Sequence, residues 1–204
     1  MKKLVLVAVA SLAAVSAARP VAAQAVVGHA APAFTLSDGA GQSHSLADYK
    51  GRLVVLEWFN PGCPFVGKHY GSGHMQQLQK EWTGKGVVWL TIDSSAPGKQ
   101  GYLDGAGAQA LAKERGLSST ALLLDPQGKV GRAYAARTTP HMFVITKDGT
   151  VAYAGGIDDK PSTEPADLAG AKNFVADALG ELQAGKAVTV SSSQPYGCSV
   201  KYGD

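Results

Sequence analysis

The stretch Val54-Val55-Leu56-Glu57-Trp58-Phe59-Asn60-Pro61-Gly62-Cys63-Pro64-Phe65-Val66 decides how this chain is read. Residues 53–59 are nearly apolar throughout and rich in β-branched and aromatic types, the pattern of a strand covered on both faces by helices. Asn60-Pro61-Gly62 is a tight turn. Pro64 suits the first position of a helix, where its missing N–H would have gone unpaired anyway. Cys63 therefore falls at a helix start, where free backbone N–H groups and the helix dipole favour a thiolate. It is the candidate reactive thiol of the chain.

Working outward, residues 64–82 are predicted to be helical, with Met75, Leu78 and Trp82 turned to the core and Gly71 and Gly73 loosening the first half. Residues 87–92 form a second buried strand, which completes a βαβ unit with a right-handed crossover. A loop over 93–102, a helix over 106–115, a short strand over 121–124 and a short helix over 130–136 follow. Residues 138–145 and 151–155, joined by a turn containing Asp148-Gly149, read as a β-hairpin. Residues 167–184 are predicted to be one last helix, with Leu168, Ala171, Phe174, Val175, Ala178 and Leu179 on its apolar face. Residues 187–204 are an extended tail carrying Tyr196-Gly197-Cys198. Before the decisive strand lie a short strand at Phe34-Thr35-Leu36 and a helical turn over 46–49.

At 204 residues the chain is long enough for one α/β domain with a substantial core. Lys2-Lys3, an apolar run over 4–18 and Ala23-Gln24-Ala25 read as a secretory leader cut near residue 25, so residues 26–204, tail included, are the expected domain. The expected location is periplasmic or secreted. No later apolar run is long enough to span a bilayer, so no stable membrane insertion is expected after cleavage. Removing Lys2, Lys3 and Arg19 with the leader lowers the 19 basic residues to 16, equal to the 16 acidic ones. A neutral chain without a basic stripe excludes nucleic acid as an expected partner. Two cysteines make no disulfide scaffold, yet one pair can be a redox couple.

Strand, Cys, helix, strand, helix, Thr-Pro, hairpin and helix is an order that resembles the thioredoxin fold. The entry Ala30-Ala31-Pro32-Ala33-Phe34-Thr35-Leu36 and the run Lys50-Gly51-Arg52-Leu53-Val54-Val55-Leu56 resemble the N-terminal extension of the redoxin (AhpC/TSA-type) group. Residues 60–70, 138–145 and 196–202 are similar to a secreted bacterial branch of thioredoxin-like proteins. The resemblance implies an α/β fold with a central mixed sheet flanked by helices. It also implies thiol chemistry on a protein disulfide or a peroxide, with an external thiol reductant and no cofactor. The pattern departs from thioredoxins in having Val66 where the second cysteine of Cys-x-x-Cys stands. It departs from peroxiredoxins in having Asn60 where a hydroxyl residue precedes the cysteine.

By the same resemblance, Glu57 matches a buried carboxylate that relays protons beneath the thiol. Thr139-Pro140 matches a cis-proline element whose backbone pairs with an extended substrate, so Thr139, Pro140, Pro64 and Asn60 are the expected substrate contacts. Arg137 is either a cation that lowers the thiol pKa or a solvated side chain. Cys198 is either a free thiol in the tail or the partner that resolves Cys63, and a Cys63–Cys198 bridge would be either catalytic or structural. In the structural case the chain would be a binding or copper-handling module rather than an enzyme. His69, His74 and His141 raise that metal alternative, although His69 and His74 lack the four-residue spacing of a helical metal pair.

Overall fold

The computed structural model describes residues 24–204; the leader expected over residues 1–25 lies, but for its last two residues, outside them. Seven strands form one mixed sheet. β1 (Thr35–Asp38) and β2 (Ser43–Ser45) make its outer edge, followed in space by β5 (Ala121–Leu124), β4 (Val88–Asp93), β3 (Val54–Phe59), β7 (His141–Ile145) and β8 (Val151–Gly155). β3, β4 and β5 run parallel, as strands joined through helices must, while β7 returns antiparallel on β3 and pairs with β8.

All six residues of β3 and of β4 are buried, because both sheet faces are covered. Val55 and Phe59 pack on one side with Val66, Tyr70, Trp89, Val175 and Leu179. Val54, Leu56 and Trp58 pack on the other with Tyr134, Phe143 and Val151. Glu57 alternates with Leu56 and Trp58 and so belongs to the first face, the one covered by the helix that follows Cys63.

Two expected helices are corrected. The helix expected over 64–82 is two helices, α1 (Pro64–Gly71) and α2 (His74–Gly84), because Gly73 takes φ 77° between them. The helix expected over 167–184 is a 3-10 turn, Pro165–Gly170, followed by α5 (Phe174–Gln183). Its start is set by Asn173, whose side chain accepts from Ala176 N–H, and Leu168 and Ala171 therefore leave the apolar face. The remaining helices are α3 (Gly105–Glu114), capped by Asp104, and α4 (Lys129–Ala133).

The tail contributes one further strand. β9 (Cys198–Ser199) pairs antiparallel with β6 (Thr138–Thr139) in a separate two-stranded sheet, with Thr139 opposite Cys198. Val200 N–H donates to Arg137 O at 3.0 Å, and Ala96 N–H to Lys201 O at 2.8 Å. Tyr202 Oη donates to Ala136 O at 2.8 Å, and its ring lies under the Arg132 guanidinium. Among the described residues no helix is long and apolar enough to cross a membrane.

Candidate active site

Cys63 is the N-cap of α1, with extended backbone at φ −85° and Pro64 at the first helical position. The turn before it is closed by Asn60, whose Oδ1 accepts from Gly62 N–H and whose Nδ2 donates to Ser95 Oγ and Gln100 O. Asn60 is 1% exposed, so its amide is committed to holding the loop. Pro64 is exposed beside the thiol.

The Thr139–Pro140 peptide is cis, and it brings Thr139 O to 3.0 Å from Cys63 Sγ, which donates to it. On the far side of Thr139 lies the tail. Gly197 has φ +128°, and a Cβ built there would fall 2.1 Å from Thr139 O. Only glycine lets β9 come this close to β6, and the approach carries Cys198 against Cys63. The Thr139 backbone expected to meet a substrate chain is thus occupied by the protein's own tail, and Cys63 is 1% exposed.

The two thiols are electrostatically unequal. Burial pushes Cys63 up, but the Cys198 thiol, the Thr139 hydroxyl and the backbone N–H groups of Val66 and Cys198 favour its charged form and bring its pKa below the ordinary thiol value. Cys198 is pushed up to about 11, first by burial and then by the neighbouring Cys63 sulfur. The pair is therefore biased toward negative charge on Cys63 and a proton on Cys198.

Glu57 lies within the first face of the sheet, fully buried. It accepts from Tyr70 Oη (2.9 Å), Gln79 Nε2 (3.1 Å), Trp89 Nε1 (2.8 Å) and Thr91 Oγ1 (3.3 Å). Burial raises its pKa and these four donors oppose the rise. None of its hydrogen bonds reaches Cys63.

Arg137 is exposed, and it is not among the groups that lower the Cys63 pKa. His141 packs on Phe143, on the sheet face opposite Glu57, and its Nδ1 accepts from Arg137 N–H rather than facing the thiol. Burial pulls it down to about 4, so it is neutral. His69 and His74 meet through their Nδ1 atoms at 3.2 Å. Among the described residues no group of three or more His, Cys, Asp or Glu is arranged to hold a metal ion.

Sequence reasoning missed one constellation next to the cysteines. Lys68, His69 and Asp158 are 2%, 0% and 2% exposed, and together they form a socket for the Tyr196 hydroxyl, two residues before Cys198. The available signal was the order Tyr196-Gly197-Cys198, an aromatic with a polar tip beside the flexible residue that precedes the sulfur. It also missed Asp93 at the end of β4. Burial pushes that carboxyl up to about 6, against the opposing hydrogen bonds from Ser95.

Comparison with known proteins gives a consistent picture. The AhpC/TSA family model matches residues 27–154. Thiol-disulfide oxidoreductase ResA of Geobacillus thermodenitrificans is 30% identical over 125 residues, 61% of this chain and 66% of that protein, so the match spans just under two thirds of its length. A Mycobacterium tuberculosis protein named as a candidate peroxiredoxin is 30% identical over 132 residues, 65% of this chain and 78% of its own. Among solved structures, an uncharacterized conserved protein from Geobacillus kaustophilus superposes with a TM-score of 0.76 at 26% identity, covering 87% of this chain and 93% of that one.

Proposed function

Because the chain belongs to the AhpC/TSA family and has the thioredoxin fold, we propose that it is a thiol-disulfide oxidoreductase in which Cys63 attacks and Cys198 resolves. The observation that carries this reading is the β6–β9 pairing, which sets Cys198 opposite Thr139 while Thr139 O accepts from Cys63.

The first step is attack by the Cys63 thiolate on one sulfur of a substrate disulfide. A new S–S bond forms to Cys63, the old one breaks, and the other substrate sulfur leaves with the electron pair as a thiolate. Cys63 then carries no charge, so the two influences of its sulfur that raise the Cys198 pKa are gone and only burial remains. Cys198 releases its proton to water, attacks Cys63 Sγ and expels the second substrate thiolate. The substrate has gained two electrons, and the protein holds a Cys63–Cys198 disulfide that an external dithiol reopens.

A disulfide suits this site better than a peroxide. The side chain in the place of the peroxide-orienting hydroxyl is Asn60, and its amide is spent within the turn. For a protein substrate to pair with Thr139, the tail must first lift from β6. We assign Glu57 to tying α1 and α2 to the sheet through Tyr70 and Gln79, and not to carrying the proton. We place the chemistry in an oxidising compartment outside the cytoplasm, on the strength of Lys2-Lys3, the apolar run that follows and Ala23-Gln24-Ala25.

The test is a thiol count by mass spectrometry across a graded dithiol buffer. Cys63 and Cys198 are expected to pass together from blocked to free at a potential within the range of exchange enzymes, and Cys198→Ser is expected to stop at a mixed disulfide on Cys63. A pair that alkylates fully without any reductant, or stays blocked until strongly reducing conditions, refutes the reading; the second result makes the bridge structural.

A further inference from the structure

The tail is fastened on both sides of Cys198. On the C-terminal side it is held by backbone bonds to Arg137 and Ala96 and by Tyr202. On the N-terminal side, residues 191–193 are bonded to β8 and to Gly156, and between them and Cys198 the fastening is a single side chain, Tyr196. Its hydroxyl donates to Asp158 Oδ1 and stands 3.3 Å from His69 Nε2 and 3.4 Å from Lys68 Nζ. Its ring packs against Phe65, two residues after Cys63, and lies under the Lys68 ammonium.

The direction of each hydrogen bond follows from the chemistry. With Tyr196 Oη donating to a carboxylate, the same oxygen accepts from Lys68 and from His69 Nε2–H. His69 Nδ1 then carries no proton and accepts from His74 Nδ1–H at 3.2 Å. His69 is neutral, burial holding it down to about 3, as this arrangement demands. Asp158 Oδ1 also accepts from Lys160 N–H, while Oδ2 has no hydrogen-bond partner and faces Lys68 at 3.9 Å and His69 at 3.8 Å. The socket is thus a buried ion pair with a neutral imidazole beside it. Lys68 and His69 sit on α1, the helix that begins at Cys63, so the socket ties the tail to the element that carries the attacking sulfur.

We propose that Tyr196, seated in the Lys68–His69–Asp158 socket, is a positioning residue for the resolving step, holding Cys198 within reach of Cys63. The inference rests on the resolving role of Cys198. It assigns Lys68, His69 and Asp158 a function that a general contribution to stability would not supply. Freeing Tyr196 leaves the chain between Ser193 and Cys198 without its anchor to α1, and the local concentration of Cys198 at a Cys63 mixed disulfide falls.

The experiment uses 5,5′-dithiobis(2-nitrobenzoate) as the disulfide and follows release of the coloured thiolate. One equivalent appears when Cys63 attacks. A second appears when Cys198 attacks Cys63 Sγ and displaces the remaining aryl thiolate. Tyr196→Phe keeps the ring and removes only the hydroxyl. Its second phase is expected to slow by about tenfold to a hundredfold, the loss of a hydrogen bond to a charged group. Its first phase is expected to stay equal or become faster. Asp158→Asn, which still accepts from Tyr196, is expected to slow the second phase less than Tyr196→Phe does. In the double variant the effects are expected not to add.

A second phase in Tyr196→Phe within twofold of wild type overturns the proposal while leaving the resolving role of Cys198 standing. Slowing of both phases together marks a merely structural effect and overturns it as well. If wild type itself releases a single equivalent, the resolving role has failed and this inference with it.

Discussion

Replacing Gly197 by alanine tests the closure over Cys63 directly. Gly197 holds φ +128°, a conformation that side-chain-bearing residues rarely adopt, and an added Cβ would lie 2.1 Å from Thr139 O. That oxygen cannot move aside, since its strand is paired with β9 and it accepts from Cys63. The backbone conformation alone costs on the order of 1–3 kcal/mol. Charged entirely against the closed tail, this multiplies the open fraction by about fivefold to 150-fold. Cys63 is 1% exposed when the tail is down, so its modification must wait for opening. The assay is the rate of iodoacetamide alkylation of Cys63 in the reduced protein, read by peptide mass spectrometry. Gly197→Ala is expected to raise that rate by the same factor with Tm close to wild type, because Gly197 is not part of either apolar cluster. A rate within twofold of wild type would show that the tail does not cover the thiol in solution.

Three further outcomes are expected. The Asp93 carboxyl is held up to about 6 by burial against an ordinary 3.8, so the folded form keeps its proton to higher pH than the unfolded form, and stability falls as pH rises from about 4 to about 6. Asp93→Asn should therefore gain about 2–3 kcal/mol in urea denaturation at about pH 8 and almost nothing near about pH 3.5; an equal gain at both would sink the argument. Glu57→Gln sets an amide N–H₂ among four donors and should lose about 1–3 kcal/mol of stability while leaving the pH profile of disulfide exchange unmoved. A displaced profile would restore a proton-carrying role. Thr139→Val keeps the shape and removes a buried hydroxyl that favours the thiolate, so the ultraviolet titration of Cys63 should move to higher pH and its exchange rate at neutral pH fall severalfold. An unchanged titration curve counts against that hydroxyl.

The parts of this fold that are local or strongly patterned are legible in the sequence. The apolar runs of β3 and β4, the Asp148-Gly149 turn between β7 and β8 and the Pro64 helix start all carry their signal within a few neighbouring residues. Helix boundaries were harder where two local rules competed: periodicity continued across Gly73 and Asn173, but a left-handed glycine and an N-cap side chain set the ends. Of the site, the two cysteines and Thr139-Pro140 were readable as types in an order. What could not be read was what the tail does on arrival, since β9 is two residues long and its partners lie far back along the chain. Asn60 shows the same limit. Its type invited a substrate contact, while Ser95 and Gln100, remote in sequence, claim its amide. Lys68 and Asp158 look like ordinary surface charges until folding buries them against each other.

The gathering of β9 and its flanks into one continuous segment governs how the site can be altered. The segment 196–202 supplies the sulfur proposed to resolve, the cover over Cys63 and the strand partner of β6, so the three are gained or lost as a single unit. A stop codon or a proteolytic cut just before Tyr196 would leave helices α1 to α5 and the seven-stranded sheet of the described residues in place. On the proposed mechanism it would convert a two-cysteine exchanger into a one-cysteine thiol, open to solvent and dependent on an outside thiol to finish every turnover.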